Sequence, residues 1–239
     1  MVDHTPLFIR FDEAHTAIAV RALPDDAPEQ VLSRLNLPAY RGIVVVHGGA
    51  GRMEPEYVPT VRQFLFEALH PLAQTERLLL VAGGTQFGVP KLLGDVRQEG
   101  GGNYPLLGVV PYPRVSYPGG ALTDDRHLPL HPAYSHFVLV EGSDFGVESK
   151  LLVSFLRGCG KPGLALIING GEIVLQEVQT HAQHHNRLVT VAGSGRMADR
   201  LADGTSDERR ALPDHAQLSV TQVNNPPGFI DLIRRLLFG

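Results

Sequence analysis

Residues 78–96 read LLLVAGGTQFGVPKLLGDV, and their order decides the fold class. Leu78, Leu79, Leu80 and Val81 run without polar alternation, the pattern of a strand buried on both faces of a parallel sheet. The run breaks at Ala82, Gly83, Gly84 and Thr85. Val89, Leu92, Leu93 and Val96 then fall at i, i+3, i+4 and i+7, the stripe of an amphipathic helix. A strand that turns through glycines into a helix aims backbone N–H groups and the positive end of the helix dipole at one point, a natural seat for phosphate. In a single such turn the glycines can equally serve the turn alone.

The chain repeats the device. Residues 42–46, GIVVV, break into His47, Gly48, Gly49, Ala50, Gly51 and Arg52; a helix follows, with Pro55 near its first turn and a stripe of Val61, Phe64, Leu65, Ala68 and Leu69. Residues 188–192, LVTVA, break into Gly193, Ser194, Gly195 and Arg196, with Ser194 as N-cap of a helix carrying Met197, Ala198, Leu201 and Ala202. A looser copy is LALII at 164–168, followed by Asn169, Gly170 and Gly171. If these strands are parallel, all four glycine-rich ends lie at the carboxyl edge of one α/β sheet, where open folds of this class bind ligands.

Composition narrows the class. A chain of 239 residues suffices for one large α/β domain. The formal charge of −4, without a basic run, argues against nucleic acid as partner. No apolar stretch nears the roughly 20 residues that span a bilayer, so no membrane association is expected. The N-terminus lacks the basic and apolar regions of a signal peptide. The single cysteine, Cys159, excludes an internal disulfide and sits between glycines, as at a helix C-terminus. The expected location is cytoplasmic.

In order, residues 7–20 read as a strand or hairpin and 29–35 as a short helix. Residues 98–103 read as a flexible turn, 106–110 as a buried strand, and 112–135 as a long proline-rich loop, or small hairpin, over the carboxyl edge of the sheet. Residues 137–140 form a further strand; Ser143 or Asp144 caps the next helix, with Glu148 in its first turn, where a carboxylate complements the dipole or contacts a ribose or a water. A helix over 172–185, a strand at 218–220 and an amphipathic helix over 229–237 complete the chain. A single domain over 1–239 is expected, with 1–40 as lead-in and 41–239 as core.

Three blocks, GGTQFGVPKLLGD (83–95), YSHFVLVEGSDFGVES (134–149) and VAGSGRMADRLAD (191–203), resemble in order and placement the prokaryotic, LSDAT-like branch of the SLOG superfamily. That superfamily groups the LOG phosphoribohydrolases, the Smf/DprA proteins and the N-terminal cytosolic region of TRPM channels. The resemblance implies a Rossmann-like, doubly wound, mainly parallel sheet with helices on both faces, binding ADP-ribose or a related NAD-derived nucleotide. It implies a phosphate cradle of Gly48, Gly49, Ala50, Gly51, Arg52, Gly83, Gly84, Thr85, Gly88 and Val89, closed on the far side by Asn169, Gly170, Gly171, Gly193, Ser194, Gly195 and Arg196. Arg52 and Arg196 could each hold a phosphate bidentately or point to solvent. The enzymatic LOG branch carries PGGxGTxxE, and its glutamate takes part in splitting an N-glycosidic bond. Pro90 and Lys91 stand where that glutamate belongs, which shifts the balance from hydrolase to sensor.

Other constellations carry less. His181, His184 and His185 have the spacing of a helical metal site, with Glu177 nearby, but a solvated helix end is the expectation, and no metal. Asp124, Asp125, His127 and His131 read as a solvated loop tip. Gly193-Ser194-Gly195 lacks the G-x-S-x-G frame of an esterase elbow, and Gly49-Ala50-Gly51 lacks the third glycine of a dinucleotide fingerprint. The leading function is a nucleotide-binding sensor needing no cofactor. Its diphosphate would lie on the glycine turns, and its adenine under the 112–135 loop against Tyr112, Tyr117 or Tyr134. It would act through a homo-oligomer or a separate effector protein. The alternative is a hydrolase of a nucleotide N-glycosidic bond with Glu148 or Asp144 as acid–base group, on condition that the Glu148 helix points into the cleft. A third class is a protein-binding scaffold on a dead nucleotide fold.

Overall fold

The computed structural model describes residues 4–49, 51, 53–120 and 127–239. Two strands, β1 (Leu7–Arg10) and β2 (Thr16–Ala22), and a short helix α1 (Pro28–Ser33) lead into β3 (Gly42–His47). Then come α2 (Tyr57–Phe64), α3 (His70–Thr75), β4 (Leu78–Ala82), α4 (Gly88–Glu99), β5 (Leu106–Pro111), β6 (Val115–Ser116), β7 (Leu128–Pro129) and β8 (His136–Val140). The remaining elements are α5 (Ser149–Gly158), β9 (Gly163–Ile167), α6 (Glu172–Gln183), β10 (Leu188–Ala192), α7 (Arg196–Ala202), α8 (Asp207–Arg210), β11 (Leu218–Gln222) and α9 (Pro226–Phe238).

Nine strands form one sheet in the order β1-β2-β8-β5-β4-β3-β9-β10-β11, parallel throughout except for the β1–β2 hairpin. Every residue of β3, β4, β5 and β8 is buried, which is why these strands read as unbroken apolar runs. Alternate side chains feed two layers. Val44, Val46, Leu78 and Leu80 pack with α2, α3, α4 and α9 on one face. Ile43, Val45, Leu79 and Val81 pack with α1 and α5 on the other, where α6 and α7 cover Ala165 and Ile167 of β9. The doubly wound α/β fold expected from the sequence is the fold observed.

Several local expectations change. Pro55 lies just ahead of the N-cap position of α2, which Glu56 occupies. α2 continues into α3 through a π-helical turn, Leu65–Leu69, placed just ahead of Pro71. In a regular helix that proline's ring would collide with the carbonyl four residues back, and the widened turn relieves the clash. Gln98 and Glu99 belong to α4 rather than to a turn. In the 112–135 segment the short strands β6 and β7 pair in parallel, so the segment is a crossover rather than a hairpin. Asp124 and Asp125 lie outside the described residues. α5 starts at Ser149 with Glu148 at the N-cap position; neither Ser143 nor Asp144 caps it, because Asp144 pairs with Arg114 at 2.6 Å. Gly195, not Ser194, occupies the N-cap position of α7.

The second glycine of the founding stretch has a packing reason. A Cβ on Gly84 would stand 2.6 Å from the Phe137 ring and 2.9 Å from Gly108 Cα; one on Gly108 would stand 2.7 Å from the same ring. The turn after β4, strand β5 and strand β8 therefore meet through two bare backbones and one aromatic ring. Gly108→Ala should destabilise the fold by about 1–3 kcal/mol, read as a fall in thermal midpoint of roughly 2–4 °C per kcal/mol for a chain of this size.

Candidate functional site

Strand order reverses between β3 and β9: the chain fills β3, β4, β5 and β8 on one side, then β9, β10 and β11 on the other. The ends of β3 and β9 thus part at a topological switch point, the place where open α/β sheets form a crevice. A cleft of about 640 Å³ lies there, within the size range of small-molecule sites. Its walls come from the turn after β3 (Gly48, Gly49, Gly51), the turn after β4 (Gly83), and the N-terminal ends of α4 (Phe87, Pro90), α5 (Phe145, Glu148) and α6 (Gly171, Glu172, Ile173). Val46, Val109, Leu128, Leu152 and Val174 make the lining largely apolar, while His47, Glu148, Glu172, Glu177 and Arg196 supply its charged and titratable groups.

Of the seventeen cradle residues expected from the sequence, six line this cleft: Gly48, Gly49, Gly51, Gly83, Gly171 and Arg196. Ala50 and Arg52 lie outside the described residues. The others are turned to internal tasks. Val89 is fully buried beneath Gly48, and its N–H donates to the Gly49 carbonyl at 3.2 Å, which stitches the first two glycine turns together. Gly84 packs against Phe137, Thr85 is buried in a bridge to Leu130, and Gly88 opens α4 behind the cleft wall. Asn169, in the left-handed region at φ 55°, receives the Gly170 N–H on its side-chain oxygen and donates to the Ser194 carbonyl. The Ser194 hydroxyl accepts from Asn169 N and donates to Val191 O. The turn after β10 is already filled by an anion of the chain's own: the Asp199 carboxylate accepts from Gly193 N at 2.6 Å and from Gly195 N at 3.2 Å. Those amides are therefore occupied.

The start of α6 also faces the cleft, through Gly171, Glu172 and Ile173. Its first-turn amides have no intrahelical acceptors, and the Arg196 guanidinium comes within 2.9 Å of where a Cβ on Gly171 would sit. Arg196 also donates to Gly51 O at 3.4 Å, so it spans the mouth from the β3 turn to α6.

The tyrosines do not line the cleft. Tyr134 is fully buried and its hydroxyl lies 3.0 Å from its acceptors, the Gly83 and Pro90 carbonyls, while Tyr112 carries Arg21 over its ring. Phe87, Phe145 and Ile173 hold the rim instead, 43, 41 and 42% exposed. Large apolar side chains left open at a cleft mouth are the legible signal of a ligand surface.

Beneath the cleft lies a buried polar chain that the sequence did not disclose. His181, expected at a solvated helix end, is fully buried: α6 turns it inward, while His184 and His185 remain at the surface. His181 Nδ1 meets Asn186 Nδ2 at 2.8 Å, its Nε2 meets His47 Nε2 at 2.8 Å, and His47 Nδ1 meets Glu177 Oε2 at 2.7 Å. The Ser149 hydroxyl donates to Glu177 Oε1 at 2.5 Å. With the Asn186 amide donating, each contact in the chain has one donor and one acceptor: Asn186 to His181, His181 to His47, His47 to Glu177. Burial alone would raise the Glu177 carboxyl, but His47 and Ser149 bring it below the usual range. Burial pushes His181 well below the normal histidine range, reinforced by His47 and His184. Glu148 lies on the opposite wall, where burial, together with the nearby Glu177, lifts its carboxyl to about 7 against the pull of backbone N–H groups.

Two further expectations close here. His131 is buried and bound to Asp95 at 3.1 Å rather than exposed at a loop tip. Cys159 stands at the C-terminal end of α5, with its thiol pushed up by burial to about 12, which leaves it inert as a nucleophile. Among the described residues no cluster of three or more His, Cys, Asp or Glu side chains is placed to hold a metal, and no helix is long and apolar enough to cross a membrane.

Residues 41–229 match the model of the family described as SLOG in TRPM, prokaryote. The chain belongs to that family. This SLOG chain is also 26% identical, over 245 aligned positions, to human transient receptor potential cation channel subfamily M member 7, and equally so to the rat and mouse proteins. The alignments cover 85% of this chain and 13% of each relative, so the chain spans about an eighth of their length.

The buried histidines make the SLOG chain acid-sensitive. His181 stays neutral when folded, as does His136, which burial, with Arg97 nearby, lowers to about 4. The unfolded chain binds these protons near pH 6.5 and the native chain does not, so stability falls as pH drops below that value. His136 alone accounts for on the order of 3 kcal/mol between pH 6.5 and 4. Glu177, whose carboxyl is depressed in the fold, contributes stability above about pH 4.3 and loses it as pH falls through its folded value. Urea titrations from pH 7.5 to 5 should show a falling midpoint, flattened in His136→Gln.

Proposed function

We propose that the cleft is a nucleotide site and that the protein acts as a sensor of ADP-ribose or a related NAD-derived nucleotide. The observation that carries this reading is the convergence of three helix N-termini and the β3 glycine turn on one largely apolar cleft at the switch point of the sheet. A phosphate would sit at the start of α6, on Gly171 and the β3 glycines, with Arg196 as its charge partner. The base would enter between Phe87 and Phe145 on opposite walls; an aromatic face recognises any base by stacking. Membership of the SLOG-in-TRPM family supports the same assignment. The sensor reading gains from Pro90 and Lys91, which stand where the LOG glutamate belongs; Lys91 is directed to Asp95 at 2.5 Å. An acidic group does line the cleft, at Glu148, but from a different helix.

Isothermal titration with ADP-ribose, AMP, NAD and cyclic ADP-ribose tests the reading. ADP-ribose should bind in the micromolar range, and Arg196→Ala should weaken it about 10-fold or more, the loss of a charge-assisted contact. Phe87→Ala and Phe145→Ala should weaken AMP by about 5- to 100-fold and leave ribose 5-phosphate unchanged. Silence for every nucleotide would sink the nucleotide reading in favour of a protein-binding scaffold.

A further inference from the structure

We propose that a second cavity, at the amino edge of the sheet and away from the cleft, binds a small zwitterion of the α-amino acid class, with Arg209 holding its carboxylate and Asp214 its ammonium group. The site is independent of the nucleotide reading. The chain runs from α7 through α8 to the start of β11, and a cavity of about 320 Å³ lies along this passage. That is the lower end of the range for small-molecule sites. Leu212, Pro213 and Ala216 make its wall apolar, Arg209, Arg210 and Asp214 are its charged groups, and Gly204 also lines it. The fold pins these walls. Leu212 packs into the layer that α6 and α7 form over β9. His215 Nε2 lies 3.2 Å from the Ala182 carbonyl oxygen, and its ring stands 4.2 Å from that of His185. The Ala216 N–H donates to Pro213 O at 2.9 Å.

One donor in these walls lacks an acceptor. Nη1 of Arg209 is buried and meets no hydrogen-bond partner among the described residues. The neighbouring guanidinium groups are engaged, Arg210 with Thr205 O, Ser206 O and Asp207, and Arg200 with Glu208. A guanidinium does not shed its proton in a protein, so Arg209 cannot escape the cost of its buried donor by becoming neutral. Folded chains pair nearly all such donors, and here the chain supplies no acceptor. A planar carboxylate matches the guanidinium edge. Asp214 lines the same cavity without forming an ion pair with Arg209. Opposite charges that share a cavity and do not pair suit a ligand that carries both. The Asp214 carboxylate also sets a dianion such as phosphate at a disadvantage, because like charges brought together repel. The apolar wall is left for the side chain of the amino acid.

The test is a thermal-shift screen and calorimetric titration of the full chain with each protein amino acid, with propionate and with inorganic phosphate. At least one amino acid should raise the thermal midpoint and bind more tightly than propionate or phosphate. Arg209→Met keeps the apolar stem of the side chain and should weaken that amino acid by about 10-fold or more. Asp214→Asn should weaken it by about 2- to 5-fold without weakening propionate. A second kind of variant fills the cavity and leaves Arg209 in place. A Cβ on Gly204 meets nothing within 4 Å, and the backbone there lies outside the left-handed region, so Gly204→Leu should fold and lose the ligand. Silence for every amino acid overturns the proposal. Binding that survives in both Arg209→Met and Gly204→Leu overturns it as well. Propionate or phosphate binding as tightly as the best amino acid also overturns it, since the site would then take anions alone.

Discussion

The contact between His47 and Glu177 ties the last residue of β3 to the middle of α6, across the point where the sheet changes direction. Both side chains are buried, and neither could be carried into the fold without the other, because a buried group that loses its partner bears the full cost of its lost hydration. The rest of the cleft follows from that pairing. α6 must dock with Glu177 and His181 inward, which brings its N-terminus to the mouth; Ser149 must approach Glu177, which sets the start of α5 on the facing wall. Glu148, one residue earlier, is thereby placed over the same floor. A polar chain inside an apolar interior thus fixes the geometry of the opening above it.

Four turns of similar sequence have been put to four uses. The turn after β3 opens on the cleft; the turn after β4 is packed under Phe137 through Gly84; the turn after β9 is braced by Asn169 against Ser194; the turn after β10 wraps the Asp199 carboxylate. The difference lies in the acceptors around them. A glycine turn offers its amides to a ligand only where the chain supplies no carbonyl or carboxylate of its own. Asp199 satisfies its turn as a bound phosphate would, and so withdraws it from the site.

The match to the SLOG-in-TRPM family and the partial similarity to the TRPM7 proteins agree with the doubly wound sheet. Within that frame the chain departs from the LOG motif at Pro90 and Lys91, and the acidic groups of the cleft stand elsewhere, at the start of α5 and on α6. The same relocation holds for aromatic groups. Tyr134 has become a core residue that fastens the β4 turn to α4, and Phe87 and Phe145 are left open at the rim.

The sequence by itself determined the layered α/β fold, because strands buried on both faces must be apolar throughout and surface helices must be apolar on one stripe. It determined that glycine turns end the central strands, and that Glu148 begins a helix near them. It could not reveal which turn amides remain open, since their acceptors, Gly49 O for Val89 and Asp199 for Gly193, are known only once helices have docked. Nor could it pair His47 with Glu177 and His181, which stand 130 and 134 residues away along the chain. The i, i+3, i+4 spacing of His181, His184 and His185 suggested a polar face, but a helix position is inward or outward only relative to the sheet it covers. The site is made where distant segments meet, and local pattern records no such meeting.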